Sequence, residues 1–267
     1  MWINRAILKF TVMSACLDQM KLAYVALLGF IVPIGMKLAA LYHGSADSQT
    51  FEMLTGKVGV SFILMVLCLG LAGNSTTQTG RGGEYLPLLF SRPVSRTEYV
   101  FTKWITITII GGSLAALQNI LVVLSGLFFG EATSLTGLLS MLVERFFDAG
   151  IISAGMLWTM LNKHPAFQVI SIVAFYIWML GQTVPPVSVA GPSAGGVDQL
   201  ALDATKILLD GSGYIGDLVL PGVNLYDMLH AHAFSILPLV AYFSTLLIYL
   251  TGAIVSTNRR EFFYGTN

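Results

Sequence analysis

Long runs of apolar residues alternate with short polar stretches along the whole chain. A bilayer core about 30 Å thick takes roughly 20 apolar residues in a helix, and six runs reach or approach that length. The pattern therefore predicts six transmembrane helices, at residues 22–42, 57–73, 104–129, 145–161, 166–186 and 234–257. Their unequal lengths indicate helices that are tilted against one another.

Composition agrees with a location in the membrane. The chain has 267 residues, of which 55% are hydrophobic and 10% charged, whereas about 25% of the residues of a soluble domain are charged. We therefore expect an all-α integral membrane protein. Its two cysteines, Cys16 and Cys68, offer neither a disulfide framework nor a metal-ligand spacing. No cleavable signal sequence is visible, so the first span is expected to be retained.

Basic residues collect on one side of the six predicted helices. Ten of the fourteen Lys and Arg residues fall in the two termini and in the second and fourth connections, whereas ten of the fourteen acidic residues fall on the other side. Because basic loops stay in the cytoplasm, both termini are predicted to be cytoplasmic, in a multi-pass protein of the cell (inner or plasma) membrane. The net charge is zero, and nothing in it indicates nucleic-acid binding.

Three segments outside the predicted spans complete a single transmembrane domain over residues 1–267. Residues 1–21 place apolar side chains on one helical face, which is typical of an amphipathic helix in the inner interface. The alternative is a leader that extends the first span inward. Residues 187–233 are predicted to form an external loop with a helical cap, large enough to bind an extracytoplasmic partner. Residues 258–267 form a cytoplasmic tail.

The polar segment between the second and third spans, residues 81–103, contains a sharp break. A helix that starts at Glu84 must end before Pro93, because the residue before a proline disfavours the helical conformation. Ser95 and Glu98 then have the spacing of a capping box, in which each side chain satisfies a free backbone N–H of the other residue. We expect a short cytoplasmic helix, a break, and a second helix that continues into the third span.

The short helix carries apolar side chains that need burial, either among lipid headgroups or in a partner protein. The pattern alone leaves open whether the segment is an ordinary basic loop with an interfacial patch or a docking element. These side chains are Leu86, Leu88, Leu89 and Phe90.

The run "GGEYLPLLFSRPVSRTEYVFTKW" resembles the cytoplasmic coupling segment of ATP-binding-cassette (ABC) transporter permeases of the type-2 exporter class. The positions that match the family pattern are Gly83, Leu86, Leu88, Leu89, Pro93, Val94, Ser95, Arg96 and Lys103. In that family the short helix seats in a cleft of a separate ATPase subunit. The resemblance therefore implies an ATPase-coupling surface formed by Glu84, Tyr85, Leu88, Leu89, Arg92, Pro93 and Arg96.

The resemblance also implies partners. A dimer is expected, with a second permease subunit, identical or not, and two copies of an ABC ATPase that bind ATP and Mg. The chain has no G-x-x-x-x-G-K-[ST] sequence, so it is not expected to be an enzyme or to hold a cofactor itself.

The expected function is that of the permease subunit of an ATP-driven transporter, with export as the expected direction. The alternatives are ATPase-coupled transmission of force or signal to an extracytoplasmic partner, and a secondary transporter driven by an ion gradient. A membrane-embedded enzyme is a further alternative, for which the sequence has no recognisable catalytic set.

Polar residues inside the predicted spans have two interpretations. Gln118 and Asn119 of the third span either form interhelical hydrogen bonds or line a substrate pathway. Glu144, Arg145 and Asp148 cluster at the outer end of the predicted fourth span, where Arg145 is expected to pair with Asp148 one turn away.

Small residues recur at the spacing that lets helices approach closely, as in Gly150 with Ala154. They predict a tightly packed bundle without indicating a substrate. Asp227, His230 and His232 do not share one helical face and lack a further ligand at suitable spacing, so no metal site is predicted.

Overall fold

The computed structural model describes residues 5, 7–9, 11–12, 35, 68, 95–128, 135–162, 164–181, 219–223, 225, 228 and 236–258. Four helices cover most of them, namely α1 (Arg96–Phe128), α2 (Leu135–Leu161), α3 (Pro165–Gly181) and α4 (Leu237–Asn258). All regular secondary structure in these residues is helical, which confirms the predicted all-α class. Of the first two predicted spans only Gly35 and Cys68 are described, and both are helical.

Two of the described helices are long and apolar enough to cross a bilayer. They are residues Arg96–Leu121 of α1 and the whole of α4. The apolar stretch of α3, Ala166–Phe175, is shorter than that. The predicted third and sixth spans thus coincide with helices of the required length and composition.

The helix α1 begins where the capping-box spacing predicts. The Glu98 backbone N–H donates to Ser95 Oγ at 3.2 Å, and the Tyr99 N–H donates to the Ser95 carbonyl at 3.0 Å. Ser95 therefore satisfies donors that would otherwise be left free in the first turn. From there α1 continues over 33 residues to Phe128, so the second helix of the polar segment and the third span are one element.

The helix α2 begins earlier than the predicted fourth span, at Leu135 rather than at residue 145. Charged residues shorten the apolar run in the sequence, but they do not interrupt the helix. Arg145 Nη1 donates to Asp148 Oδ2 at 2.9 Å, one turn further along, which confirms the predicted pair. Because Arg145 and Asp148 lie one turn apart on the same helix face, their charges offset each other and α2 continues through this polar stretch.

Contacts along α2 give the directions of its neighbours. As residue numbers rise in α2, the facing residues fall in α1 and in α3 and rise in α4. The facing pairs are Phe146–Gly112 and Ser153–Thr108 with α1, Gly155–Phe175 and Trp158–Phe167 with α3, and Gly155–Tyr249 and Trp158–Gly252 with α4. The four helices therefore alternate in direction along the chain.

The bundle is centred on α2, whose residues 149–157 are all buried. Its neighbours approach closely because glycines face aromatic rings. At four glycines an added Cβ would lie 2.5 or 2.6 Å from an aromatic side chain, at Gly112 (Phe146), Gly150 (Tyr242), Gly155 (Phe175) and Gly252 (Trp158). The close packing predicted from the small residues is confirmed.

Candidate functional site

The start of α1 and the end of α4 meet at one end of the bundle, which we call the Arg96 end. There the Arg96 guanidinium, through Nη1, donates to the Asn258 carbonyl at 2.6 Å and to the Thr257 carbonyl at 3.2 Å. We call this contact the Arg96 clasp. It joins the predicted coupling segment directly to the last helix.

The end of α4 has a physical need for this contact. The last four carbonyls of an α-helix have no partner within the helix and carry partial negative charge. The last turn of α4 has no basic residue of its own, and Arg96 of α1 supplies a donor and a positive charge there; Arg259 and Arg260, which follow the helix, lie outside the described residues. The sequence gives no local signal for the contact, because Arg96 and Asn258 are 162 positions apart.

The first turns of α1 are already part of the packed core. Val100 is fully buried and Lys103 is 1% exposed, with the Lys103 ammonium 5.8 Å from the centre of the Tyr99 ring. That distance permits a cation–π interaction in a desolvated site. The end of the predicted coupling segment, from Tyr99 to Lys103, is therefore packed into the bundle.

Only one of the seven predicted coupling residues, Arg96, lies among the described residues. Its guanidinium faces α4, so at least part of its role is within the chain. The other six lie outside the described residues and stay a prediction from sequence, namely Glu84, Tyr85, Leu88, Leu89, Arg92 and Pro93.

Further along the bundle, a polar seam joins α1 to α2. The Gly150 carbonyl accepts hydrogen bonds from Trp104 Nε1 at 2.9 Å and from Ser153 Oγ at 3.0 Å. Thr108 Oγ1 lies 2.8 Å from Ser153 Oγ. Each hydroxyl and the indole N–H thus finds a partner inside the helix pair, which is how polar side chains are accommodated in an apolar bundle.

Gln118 and Asn119 are both buried, at 0% and 7% exposure. Their position along the bundle axis follows from the Arg96 clasp, which puts Arg96 of α1 beside Asn258 of α4. The first residue of α4 lies 21 residues before Asn258, and the same number of residues along α1 from Arg96 reaches residue 117. The pair therefore lies level with Leu237, the beginning of α4, at what we call the Leu237 end. In the part of the chain that the structure describes, Asn119 Nδ2 is buried without a hydrogen-bond partner. Pathway lining by these two amides stays a prediction.

Seven residues of the predicted outer loop are described, namely Val219–Val223, Leu225 and Met228, and two hydrogen bonds join them to the helices. Tyr249 Oη donates a hydrogen bond to the Val219 carbonyl. Tyr249 is twelve residues into α4, about 18 Å from its beginning. A tyrosine side chain is much shorter than that distance, so Val219 lies well inside the length of the bundle.

A second contact holds the same segment to α2. Glu144 Oε1 accepts the Leu225 backbone N–H at 2.7 Å, and the contact of Phe147 with Tyr242 puts Glu144 level with the first turn of α4. Leu220, Val223 and Met228 are buried in the core. A sequence signal for this arrangement exists in the apolar run "LVLPGV", where a Pro-Gly break interrupts residues fit for burial.

No metal centre is found among the described residues, where no group of three or more His, Cys, Asp or Glu side chains is placed to hold an ion. The sequence trio of Asp227, His230 and His232 lies outside them.

Comparison of the chain with protein-family models, with curated proteins and with solved structures found no match. The family resemblance therefore depends on the motif in residues 82–104.

Proposed function

We propose that this chain is the membrane-spanning permease subunit of an ATP-driven transporter related to the type-2 exporter class of ABC transporters. In this proposal it spans the cell membrane six times, with the Arg96 end in the cytoplasm. Two such subunits form the substrate path, and two separate ATPase subunits dock on the short helices before Pro93.

The observation that carries the proposal is the Arg96 clasp. A coupling segment has to pass a displacement into the membrane helices, and the end of this one, Arg96–Lys103, forms the first turns of α1. Through Arg96 it also contacts the last turn of α4. A push on the segment would therefore act on two helices of the bundle at once.

The surface of the bundle supports the membrane location. Large apolar side chains are exposed along α4 in steps of three or four residues, at Ile236, Val240, Phe243 and Leu247. A face of this kind is unfavourable in water and favourable against lipid or a second transmembrane subunit.

The test is purification of the chain from native membranes in a mild detergent, with mass spectrometry of the proteins that accompany it. The variant Leu88→Asp/Leu89→Asp removes the apolar face of the short helix and leaves the Arg96 clasp intact. We expect an ABC ATPase to accompany the wild-type chain and to be lost from this variant. Arg5→Glu serves as the control, because Arg5 is exposed on a different helical segment.

Two outcomes would contradict the proposal. One is the absence of an ATPase from the wild-type preparation in several detergents, which favours a transporter driven by an ion gradient. The other is an ATPase that stays bound to Leu88→Asp/Leu89→Asp, which places the docking surface elsewhere. Size-exclusion profiles of all variants show whether each one still inserts and folds.

A further inference from the structure

The helices α1 and α2 extend beyond the level at which α4 begins. Because of the Arg96 clasp, residue 117 of α1 is level with Leu237, the first residue of α4. From there α1 continues to Phe128, which is 11 residues or about 16 Å further. The last third of α1 therefore lies beyond α4.

The contacts of α2 give the same level independently. Gly112 of α1 faces the Phe146 ring, and the carbonyl of the next residue of α2 accepts the hydroxyl of Tyr242. Counted from the clasp, Gly112 and Tyr242 are each 16 residues away and so are level with each other. Because α2 begins at Leu135, 11 residues before Phe146, it also passes the beginning of α4, by about 9 Å.

We call residues 117–128 of α1 and 135–141 of α2 the α1–α2 tip. Neither range contains a charged residue. Large apolar side chains are exposed by 37–74% in both of them, at Leu117, Leu121, Leu124, Leu127, Leu135, Leu139 and Met141. A surface of this kind and size is unfavourable in water.

The exposed side chains lie on opposite sides of the tip. Leu121 comes nine residues after Gly112, which faces α2; nine residues are two and a half turns, so Leu121 points away from α2. Met141 comes nine residues before Gly150, whose carbonyl accepts Trp104 Nε1 of α1, so it points away from α1. A protein bound to one side would leave the other uncovered, whereas lipid surrounds both.

The charges of α2 do not mark the edge of this apolar surface. Arg145 pairs with Asp148 at 2.9 Å, and its side chain is only 11% exposed. Met141 before the pair and Phe146 within it are 45% and 40% exposed. The environment outside α2 is therefore apolar on both sides of the ion pair.

The apolar surface is taller beside α1 than beside α4. On α4 the exposed apolar side chains run from Val255 to Ile236, 19 residues or about 29 Å, which matches a bilayer core of about 30 Å. Val255 is level with residue 99 of α1, and Leu127 lies 28 residues beyond that level, about 42 Å. An average tilt of about 20° shortens this height only to about 39 Å.

We infer that the α1–α2 tip binds the acyl chains of long-chain membrane lipids, so that the bilayer is thicker beside α1 and α2 than beside α4. A bilayer responds in this way to apolar surface that exceeds its core. The inference rests on the membrane location in the proposed function and is independent of the ATPase.

The experiment is cysteine labelling in lipid nanodiscs of two thicknesses, made from phosphatidylcholine with acyl chains of about 14 or about 22 carbons. The reagent is a charged methanethiosulfonate, and the background carries Cys16→Ser and keeps Cys68, which is fully buried. The probe is Leu124→Cys in the tip. Thr97→Cys, at the exposed start of α1, is the control in water, and Leu247→Cys, 61% exposed on α4, is the control in lipid.

In the thick discs Leu124→Cys should react at least about tenfold more slowly than Thr97→Cys, because the thiolate is the reactive form and a thiol in hydrocarbon neither ionises readily nor meets a charged reagent. In the thin discs the shorter chains leave the tip uncovered, and its rate should rise towards that of Thr97→Cys. Leu247→Cys should stay slow in both.

Equal rates for Leu124→Cys in the two discs would overturn the inference. Fast labelling in both would place the tip in water. Slow labelling in both would mean that protein covers it, a second copy of the chain if Leu124→Cys also forms a disulfide-linked dimer. Labelling of Leu247→Cys as fast as that of Thr97→Cys would overturn the membrane location itself, and with it the proposed function.

Discussion

Replacing Arg96 with alanine removes a contact between the first turn of α1 and the last turn of α4. The guanidinium donates to two carbonyls in the last turn of α4, at 2.6 and 3.2 Å. Hydrogen bonds to charged groups contribute about 1.5–3 kcal/mol, and a cation at a helix C-terminus contributes about 0.3–1 kcal/mol. Because Arg96 is partly exposed and its charge is screened there, we expect Arg96→Ala to destabilise the last turn of α4 by about 1–2 kcal/mol in all.

Hydrogen exchange followed by mass spectrometry measures that loss locally. In Arg96→Ala, backbone amides near residues 250–258 should exchange about 5- to 30-fold faster, which corresponds to one or two kcal/mol. Amides near residues 237–245 should be unchanged. Arg96→Lys keeps the charge but lacks the planar fork of donors, so its exchange should be intermediate.

Arg5→Ala provides a matched loss of one exposed arginine and should leave α4 as it is. Unchanged exchange at the end of α4 in Arg96→Ala would refute the reasoning, because it would mean that the last carbonyls are satisfied without Arg96. Faster exchange along all of α4 would also refute it, since the clasp acts only on the last turn.

Three further substitutions test a close helix contact, a hydrogen bond between helices and a helix cap. Gly155→Ala places a Cβ 2.5 Å from the Phe175 ring and should lower the free energy of unfolding by about 1–3 kcal/mol through overpacking. Gly35→Ala is the control, because its added Cβ meets nothing within 4 Å and should leave the free energy of unfolding unchanged. Equal midpoints of unfolding in detergent for these two variants would contradict the prediction. Tyr242→Phe removes a 2.9 Å hydrogen bond to a backbone carbonyl of α2 and should cost about 0.5–1.5 kcal/mol in the same assay; no change would mean that the bond is replaced. Ser95→Ala should cost about 0.5–2 kcal/mol and speed exchange in the first turn of α1, and Ser95→Thr should restore most of the protection; an unaffected first turn would mean that the cap is dispensable.

The elements that could be predicted from sequence are those with a local cause. The start of α1 follows from the Ser95 cap, and α4 lies within a few residues of its predicted span because the apolar run there is uninterrupted. The start of α2 could not be placed from sequence, because Arg145 and Asp148 count as two separate charges in a hydropathy average and so end the apolar run too early. In the structure they are a neutral pair on one face.

The candidate site was harder to predict, because its contacts depend on tertiary structure. Nothing near Arg96 indicates that the partner of its side chain is the last helix. The run "LVLPGV" is apolar enough for a buried position, but periodicity carries no information on depth in the membrane. Its level becomes clear only through Tyr249 and Glu144, which lie in other helices.

The contacts of α4 give the proposed transport function a mechanical basis. The helix is bound at its last turn by Arg96 and, nine residues earlier, through Tyr249 to the Val219 carbonyl. Nine residues of helix span about 14 Å, a length over which an α-helix bends little. A displacement of the coupling segment would therefore reach Val219 through α4. Gly252, against which Trp158 of α2 packs closely, lies between the two attachment points, so α4 would move together with α2. That motion would carry Val219 and Leu225 with it, since Val219 is bound to α4 through Tyr249 and Leu225 to α2 through Glu144.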